Sequence, residues 1–424
     1  MSGIPRRTVI VVGAFRFPHG DAGGLRILNM GKALRHAGYE MRCFCLPSGD
    51  ETPSHPEPLN HQGFEYRVFD EAKGPSKGLG SKVLRYVRTG SEMLEAATRH
   101  DLACACAVIA YGGTSLFLAR LRDACHSHGV PVVCDCAEWI DPKHRPGGLF
   151  GPVHLDDLFR IRVVLPRFDG VIGISSLICR HYSEKGCSSM VLPPVIDAED
   201  ADWPPSRIID RQDGTIRLAF VGTPDRERWD LIFGAMDLLE TTGVRAKLHL
   251  FGSGETQLVE QSDGKWPRWR RHVEFHGRLE RGAFLRTLAE QDAAVLFRDD
   301  APWSRACFPS KVPELLRLGL PLIFNDTSDL SQYIRDGSEG FLVRSLSEQG
   351  LAEAVTRLAR TTSERRQEMR AAAIRLVRER LDYRGWAAPL DGFLQSLHAR
   401  SSQRLRNYRN ELHASDDSGT RHHA

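Results

Sequence analysis

The sequence lacks a long hydrophobic run near its start. The apolar stretch that follows the first polar residues covers only 9–13, whereas a secretory signal needs about 7–15 apolar residues and a membrane-spanning helix about 20. We therefore expect a cytoplasmic protein. Its ten cysteines are expected to stay as thiols in a reducing compartment.

A strong net charge is also missing. The chain has 57 Lys and Arg against 54 Asp and Glu, a formal charge of +3, so the overall balance gives no indication of a nucleic-acid partner. With 424 residues, of which 41% are hydrophobic, the chain exceeds the usual size of one compact domain. We expect two domains, with partners determined by local motifs.

Two common cofactor motifs are absent. No Cys-x-x-Cys pair has a matching second pair, as a structural zinc site normally requires, and the first Gly loop lacks the G-x-G-x-x-G spacing of NAD enzymes. Six cysteines instead form three Cys-x-Cys pairs, in or beside predicted strands, and we expect small buried side chains there. No metal and no cofactor are predicted. The pairs are Cys43/Cys45, Cys104/Cys106 and Cys134/Cys136.

Strands alternate with helices along most of the chain. Apolar runs predict strands at 9–12, 41–46, 105–110, 131–134 and 170–173, and again at 216–221, 246–251, 273–276 and 293–296. Helical spacing occurs at 25–37, 230–241 and 282–290. This alternation predicts an α/β fold with parallel sheets. We divide it into domains at 1–196 and 215–380, joined by an acidic, Pro-rich linker at 197–214.

The most informative motif runs from Phe308 to Ile323 and reads as loop, helix, Gly turn and strand. It resembles the donor-binding motif of family 4 glycosyltransferases, in the subset with Phe-Pro-x-Lys in the loop. Short motifs at 23–24, 221–222, 251–254, 275–279 and 333–340 follow in the family's order, so the resemblance covers about residues 8–395. It implies two facing Rossmann-like domains, the GT-B architecture, and a retaining transfer from a nucleotide sugar.

The resemblance also implies a C-terminal crossover helix at 381–398, which returns to the first domain. The polar segment that follows it, 399–424, is predicted to be disordered because it contains few apolar residues.

The resemblance assigns a metal-free diphosphate site. Ser310 and Lys311 would lie at a helix start, where backbone N–H groups and a partial positive charge favour anions. Arg228 occupies the place of the family's diphosphate-binding Lys, and Arg226 is an alternative. Glu314 corresponds to the glutamate that accepts hydrogen bonds from the donor ribose. Backbone near Gly23, Gly24 and Gly222 would complete the diphosphate contacts.

Base and sugar contacts follow from the same resemblance. The family often has a second Glu eight positions before Glu314, but here Ala306 occupies that position, so other groups would have to hold the sugar, which we expect to be a hexose. The candidates for base or sugar contacts are Gly252, Gly254, Arg278, Leu279, Arg298, Phe308 and Pro309.

Two carboxylates are candidates for the acceptor side. Asp135 and Glu138 follow a predicted strand at its carboxyl end, where α/β sheets place ligands, and they could orient or deprotonate an acceptor hydroxyl. Ordinary solvated acids are the alternative. The expected acceptor is a glycan, a lipid-linked molecule or a small molecule.

Two segments mix basic with apolar residues, 81–88 and 265–271. Each could contact anionic lipid at the inner face of a membrane, although surface helices packed on a core have the same composition.

Two other functions stay open: a sugar-nucleotide epimerase of the same fold, and a subunit that binds nucleotide sugars without catalysis.

Overall fold

The computed structural model describes residues 7–48, 57–70, 78–100, 102–206, 213–222, 227–252, 254–262 and 264–419. The chain forms two compact units: Met1–Leu192 with Tyr383–Ala424, and Pro193–Asp382. Within the described ranges, no helix has both the length and the apolar character needed to cross a bilayer.

The first unit is built around an eight-stranded sheet in the order β3-β4-β2-β1-β5-β6-β7-β8, in which only the β3–β4 pair is antiparallel. Its central strand contains Val9 to Val12, all fully buried, because helices cover both faces of a parallel sheet. The strands are β1 Arg7–Gly13, β2 Tyr39–Cys45, β3 Leu59–His61, β4 Phe64–Val68, β5 Ala105–Tyr111, β6 Val132–Cys136, β7 Gly170–Gly173 and β8 Ser188–Val191. The helices are α1 Ala22–His36, α2 Leu79–Arg88, α3 Ser91–His100, α4 Ser115–Ser127, α5 Pro152–Phe159 and α6 Ser176–Ser183.

The second unit contains a six-stranded sheet in the order β11-β10-β9-β12-β13-β14, with every described pair parallel. Its strands are β9 Ile216–Val221, β10 Ala246–Phe251, β11 Val273–Gly277, β12 Ala293–Leu296, β13 Leu322–Asn325 and β14 Gly340–Val343. Its helices are α7 Trp229–Thr241, α8 Glu255–Gln261, α9 Trp266–Trp269, α10 Arg281–Ala289, α11 Pro302–Ala306, α12 Val312–Arg317, α13 Leu330–Tyr333, α14 Glu348–Ala359 and α15 Ser363–Leu376. A last helix, α16 Ala387–Gly419, belongs to the first unit.

The predicted α/β class with parallel sheets is confirmed. Each of the nine predicted strands is present, and its ends differ from the prediction by at most two residues. Four short strands, β3, β4, β8 and β14, were not predicted. β3, β4 and β8 contain polar, partly exposed residues, so they lack the continuous apolar run that is typical of the other strands.

The segment predicted as a linker differs from the structure. Its described part, 197–206, groups with the second unit, where Arg317 Nε donates to Ala198 O at 2.6 Å. Ala198 N donates to the Asp382 carboxylate at 2.8 Å. These bonds hold the segment against its own unit, although its acidic, Pro-rich composition is that of a linker.

The described part of the segment predicted to be disordered, 399–419, belongs to α16, which continues through Gly419; its disorder in solution remains a prediction. The first part of this helix buries Leu390, Leu394 and Leu397. A helix nucleated by such packing can be extended through polar residues at little cost.

One cysteine pair departs from the expected burial. Cys43, Cys45, Cys134 and Cys136 are buried, whereas Cys104 is exposed and lies in a turn just before β5. The pair at 104 and 106 therefore does not share one buried strand face.

Candidate functional site

The predicted donor motif forms the connection from β12 to β13 in the second unit. Since these two strands are parallel neighbours, the intervening helix α12 begins at the carboxyl edge of the sheet, where α/β proteins bind ligands. Val312, Leu315 and Leu316 anchor α12 in the core. This anchoring fixes Glu314 on the first helical turn, with only 2% of its surface exposed.

Glu314 is the centre of a cluster of three charged residues, Glu314, Lys311 and Arg281. Arg281 Nη1 donates to Glu314 Oε1 at 3.2 Å, and Lys311 Nζ donates to Oε2 at 3.1 Å. Burial alone would raise the pKa of Glu314, but the two cations outweigh it, so the pKa lies below its ordinary value. The carboxylate is therefore ionised at neutral pH.

Arg281 was not among the predicted site residues. It opens α10, and its guanidinium lies 5.7 Å from the ring centroid of Trp203. The signal for it in the sequence is its position, two residues after Leu279, which was predicted with Arg278 to contact the base or the sugar.

Arg228, the predicted diphosphate ligand, lies at the start of α7. It forms a fork with Asp230, with Nε to Oδ1 at 2.9 Å and Nη2 to Oδ2 at 2.7 Å, and this hydrogen bonding raises the pKa of Arg228. Its side chain is 37% exposed. Arg226, the alternative, lies outside the described residues.

Arg298 connects two loops at the same edge. Its Nε lies 3.0 Å from Glu227 Oε1, and Glu227 Oε2 accepts from Phe297 N at 2.9 Å. The side chain of Arg298 is only 12% exposed. Its observed contacts brace the loops, and sugar contact remains a prediction. Glu227, which sequence analysis did not select, orients it.

Open space surrounds the glycines predicted to contact the donor in this unit. Gly222 and Gly252 follow β9 and β10 with φ of +133° and +86°, which side chains rarely tolerate, and a Cβ on either would meet no atom within 4 Å. Gly254 precedes α8 with similar space around it. Arg278 and Leu279 are exposed just after β11.

The loop before α12 combines buried and exposed positions. Phe308 is 3% exposed and meets Tyr333 edge to face at 5.4 Å. Pro309 is buried, whereas Ser310 is exposed. The ring of Phe308 therefore packs in the core, which leaves backbone atoms and the Ser310 hydroxyl as the polar groups that the loop can offer.

In the first unit, Asp135 at the end of β6 is bound by a cation. Arg26 donates from Nε to Oδ2 at 2.8 Å and from Nη2 to Oδ1 at 2.7 Å, and its Nη1 reaches Leu192 O at 3.0 Å. The Asp135 side chain is fully buried. This gives Asp135 a structural role that the sequence analysis did not consider, and its proposed action on the acceptor remains untested. Glu138, two residues beyond β6, is exposed.

Gly23 and Gly24, in the first turn of α1, are closely packed. A Cβ on Gly24 would lie 2.0 Å from Arg16 O, and one on Gly23 would lie 2.8 Å from the Tyr111 ring. The Gly24 N–H donates to the Asp21 cap at 2.7 Å. Packing explains the need for glycine here, and the predicted diphosphate contact remains a prediction.

Two groups of described residues contain side chains of the kind that bind metals: His249, Glu274 and His276, and Asp237, Glu240 and His272. In the first, His249 Nδ1 and His276 Nε2 hydrogen-bond each other at 2.9 Å. In the second, Asp237 is paired with His272 and with two arginines.

Comparison with known families matches both halves of the chain. Residues 22–194 match the glycosyl transferase 4-like domain, and residues 215–361 match the glycosyl transferases group 1. None of the curated proteins matches the sequence.

Several solved structures share the fold. Sucrose-phosphate synthase from Thermosynechococcus elongatus is 14% identical, with a TM-score of 0.67 over 93% of this chain and 100% of that one. Anabaena HepE in complex with UDP is 14% identical, with a TM-score of 0.59 over 94% and 100%. The catalytic domain of starch synthase IV from Arabidopsis thaliana, bound to ADP and acarbose, is 12% identical, with a TM-score of 0.61 over 93% and 99%.

Proposed function

We propose that this chain, which its two domain matches identify as a glycosyltransferase of the GT-B type, moves a hexose from a nucleotide sugar to a carbohydrate, lipid-linked or natural-product acceptor. The transfer would retain the anomeric configuration and need no metal ion. The observation that carries this proposal is the buried, ionised Glu314 between Lys311 and Arg281, at the carboxyl edge of the sheet in the second unit.

Glu314 would bind the donor ribose. A carboxylate can accept about four hydrogen bonds, and the two cations use one position on each oxygen. The remaining lone pairs suit two neighbouring hydroxyl groups. The cations keep the carboxylate charged, and hydrogen bonds to a charged acceptor are stronger than those to a neutral one.

Lys311 and Arg228 would stabilise the departing nucleotide diphosphate. The Lys311 side chain is 38% exposed, and one of its N–H groups points to Glu314, so others can reach a phosphate oxygen. Arg228 likewise retains N–H groups beyond its fork with Asp230. Fixed cations that face the developing negative charge lower the barrier to cleavage of the sugar–phosphate bond.

The similar structures agree with this class of donor. HepE is described with UDP, and the Arabidopsis starch synthase domain with ADP and acarbose. For this chain we propose only the chemistry that these ligands share, a nucleoside diphosphate that carries a sugar. The experiment below identifies the base.

The test is thermal stabilisation by UDP-, GDP-, ADP- and dTDP-sugars with EDTA present, on the wild type and on Glu314→Gln and Lys311→Gln. We expect one donor class to stabilise the wild type. Loss of the charged Glu314 carboxylate, a hydrogen-bond acceptor, should weaken donor binding roughly tenfold to a hundredfold. NAD serves as the negative ligand.

Glu339→Gln is the matched control. Glu339 is also a buried glutamate, and it pairs with Arg335 at 2.6 Å, but it directly precedes β14 and so lies at the amino edge of the same sheet. Its variant should keep the donor shift. Equal losses in both glutamate variants, or stabilisation by NAD alone, would contradict the proposal.

Product analysis separates the other activities. A transferase releases nucleoside diphosphate and forms a glycoside whose anomeric configuration NMR can compare with that of the donor. An altered sugar nucleotide without acceptor would identify an epimerase, and binding without turnover under any acceptor would indicate a non-catalytic subunit.

A further inference from the structure

A cavity of about 900 Å³ opens in the first unit. Residues that follow β1, β2 and β5 line its base, among them Ala14, Leu46 and Gly113, and helices α2 and α5 form its walls. It therefore lies at the carboxyl edge of this sheet, where α/β folds bind ligands. Its volume falls within the usual range of small-molecule sites, about 300–1,000 Å³.

Apolar side chains dominate this region. Met93 and Phe117 are buried in its lining, and Val83, which is 55% exposed, faces it from α2. Of the eleven exposed large apolar side chains among the described residues, eight lie in 83–86 and 149–159. We call these two segments the apolar collar. Such a concentration on a protein surface marks a binding site.

Part of the collar lies outside the cavity. Phe150 is 88% exposed and Leu149 is 63% exposed, and neither lines the cavity. They precede α5, whose residues Val153 and Phe159 do line it. A small ligand that filled the cavity would leave Phe150 and Leu149 in water, so a larger apolar phase is needed to cover them.

The charges at the opening are predominantly positive. Lys82 and Arg85 line the cavity and Arg88 ends the same helix. All three are exposed, and no ion pair joins them to another described residue. The acidic neighbour Asp156 is already engaged, since it accepts from Tyr86 Oη at 2.5 Å and from Ser115 N at 3.2 Å. The second acidic neighbour, Asp70, is half-buried and has a partner of its own.

We infer that the acceptor is an anionic lipid presented from a bilayer: its apolar chain enters the cavity, its phosphate or carboxylate contacts Lys82 and Arg85, and the apolar collar inserts into the lipid surface. This inference rests on the proposed transferase function, because it names the molecule that receives the sugar. Cationic side chains beside exposed apolar ones are the combination that binds anionic membranes.

The first arm of the test measures sedimentation of the full chain with vesicles of phosphatidylcholine that contain phosphatidylglycerol. We expect the wild type to bind these vesicles. Three variants should each bind them at least about tenfold more weakly: Phe150→Ser, Val83→Asp and the double charge reversal Lys82→Glu/Arg85→Glu. Val259→Asp is the matched control for Val83→Asp, since Val259 is also an exposed valine, at 45% against 55%, and lies on α8 of the second unit. It should bind as the wild type does.

The second arm tests the cavity with dodecyl phosphate below its micellar concentration, with butyl phosphate as the short-chain comparison. Only the long-chain probe should stabilise the protein, and Thr89→Phe, which fills the cavity from its half-buried lining, should abolish the shift while vesicle binding persists. Thermal midpoints without ligand show that each variant is folded.

The inference is overturned by several distinct results. If the wild type does not bind vesicles, or if Val259→Asp loses as much vesicle binding as the collar variants, the proposed bilayer contact is wrong. Binding of dodecyl phosphate alone would indicate a soluble amphiphile instead. A dimer in the wild type that Phe150→Ser dissociates would assign the apolar collar to a second copy of the chain. Donor stabilisation is measured on the same variants and should be unchanged, so failure of the transferase proposal is seen separately.

Discussion

Glu314 combines burial with negative charge, a costly arrangement that its neighbours make stable. An unpaired buried carboxylate would take up a proton, but Lys311 and Arg281 each contact one of its oxygens. The two cations are themselves 38% and 50% exposed, so they keep most of their hydration. The cluster therefore offers a charged acceptor to a ligand without burying three charges.

This arrangement predicts a defined pH dependence of stability. Because the folded-state pKa of Glu314 is depressed, its contribution is complete above the unfolded value, about 4.3, and is lost as the pH falls through the folded value. Urea unfolding at pH 7, 5 and 3.5 should show Glu314→Gln less stable than the wild type by about 1–3 kcal/mol at the first two pH values. The difference should shrink at pH 3.5. A difference that grows toward acid would contradict the ion pairing.

Arg26 and Asp135 form a buried ion pair at another predicted site. They are 109 residues apart in the chain, and their side chains are 8% and 0% exposed. Both Asp135 oxygens accept from the same guanidinium, a geometry that Lys could not reproduce. The pair fastens the first turns of α1 to the end of β6.

We predict that Arg26→Ala destabilises the first unit by about 3–5 kcal/mol, because it leaves a buried carboxylate without its partner. Arg99→Ala is the control. It removes an ion pair with Glu95 whose side chains are 64% and 61% exposed, so it should cost less than about 1 kcal/mol. Hydrogen exchange of β1, β5 and β6 measures both variants. Equal effects would show that the Arg26–Asp135 pair contributes no more than a surface contact.

At the scale of the element, the first turn of α1 allows neighbouring parts of the chain to pack closely against it. Asp21 caps it by accepting from the Gly24 N–H, and the two glycines that follow allow the loop at Arg16 and the ring of Tyr111 to lie against the helix. The first turn therefore has no room for a side chain at Gly24. Local sequence and tertiary packing demand the same residue.

We predict opposite effects for two Gly→Ala substitutions in helices. Gly24→Ala places a methyl group 2.0 Å from Arg16 O, and the overpacking should cost about 1–3 kcal/mol. Gly392→Ala in α16, where no atom lies within 4 Å of the new Cβ, should be neutral or stabilise by up to about 1 kcal/mol. Thermal unfolding measures both. Destabilisation by Gly392→Ala would show that α16 is not helical at this point.

At the scale of the whole molecule, the first unit includes a C-terminal segment that completes its core. Residues 383–424 belong with 1–192, and α16 contributes Leu394 and Leu397 to that core at 2% exposure each. Phe393 and Leu397 lie where a side chain at Gly170 of β7 would be. The first unit therefore depends on residues that follow the second unit in sequence.

This dependence predicts that each unit responds to a different leucine. Leu394→Ala should destabilise the first unit by about 2–5 kcal/mol and increase hydrogen exchange in β1 and β5, with β9 and β10 unaffected. Leu358→Ala, at a fully buried position on α14 in the second unit, should give the reverse pattern. If Leu394→Ala increases exchange in β9 instead, the assignment of α16 to the first unit is wrong.

The sequence by itself determined the class of fold. Buried parallel strands are continuous apolar runs and helices repeat every few residues, so β1, β9 and β10 could be located from local pattern alone. Lys311 and Glu314 are three positions apart at a helix start, a spacing that allows side chains to meet, but their ion pair was seen only in the structure. Low hydrophobicity predicted a linker at 197–214 and disorder after residue 398, but it could not indicate the hydrogen bonds of Ala198 or the extent of α16, because both depend on the folded structure.

Only the tertiary structure decided which distant charges meet. Arg281 and Glu314 are 33 positions apart, and Arg26 and Asp135 109, so no local period relates them. The order of strands in each sheet brings their elements to one edge, and burial then makes each pairing obligatory, since a charge removed from water requires an opposite partner. The apolar collar likewise exists only because the fold places 83–86 and 149–159 around one cavity.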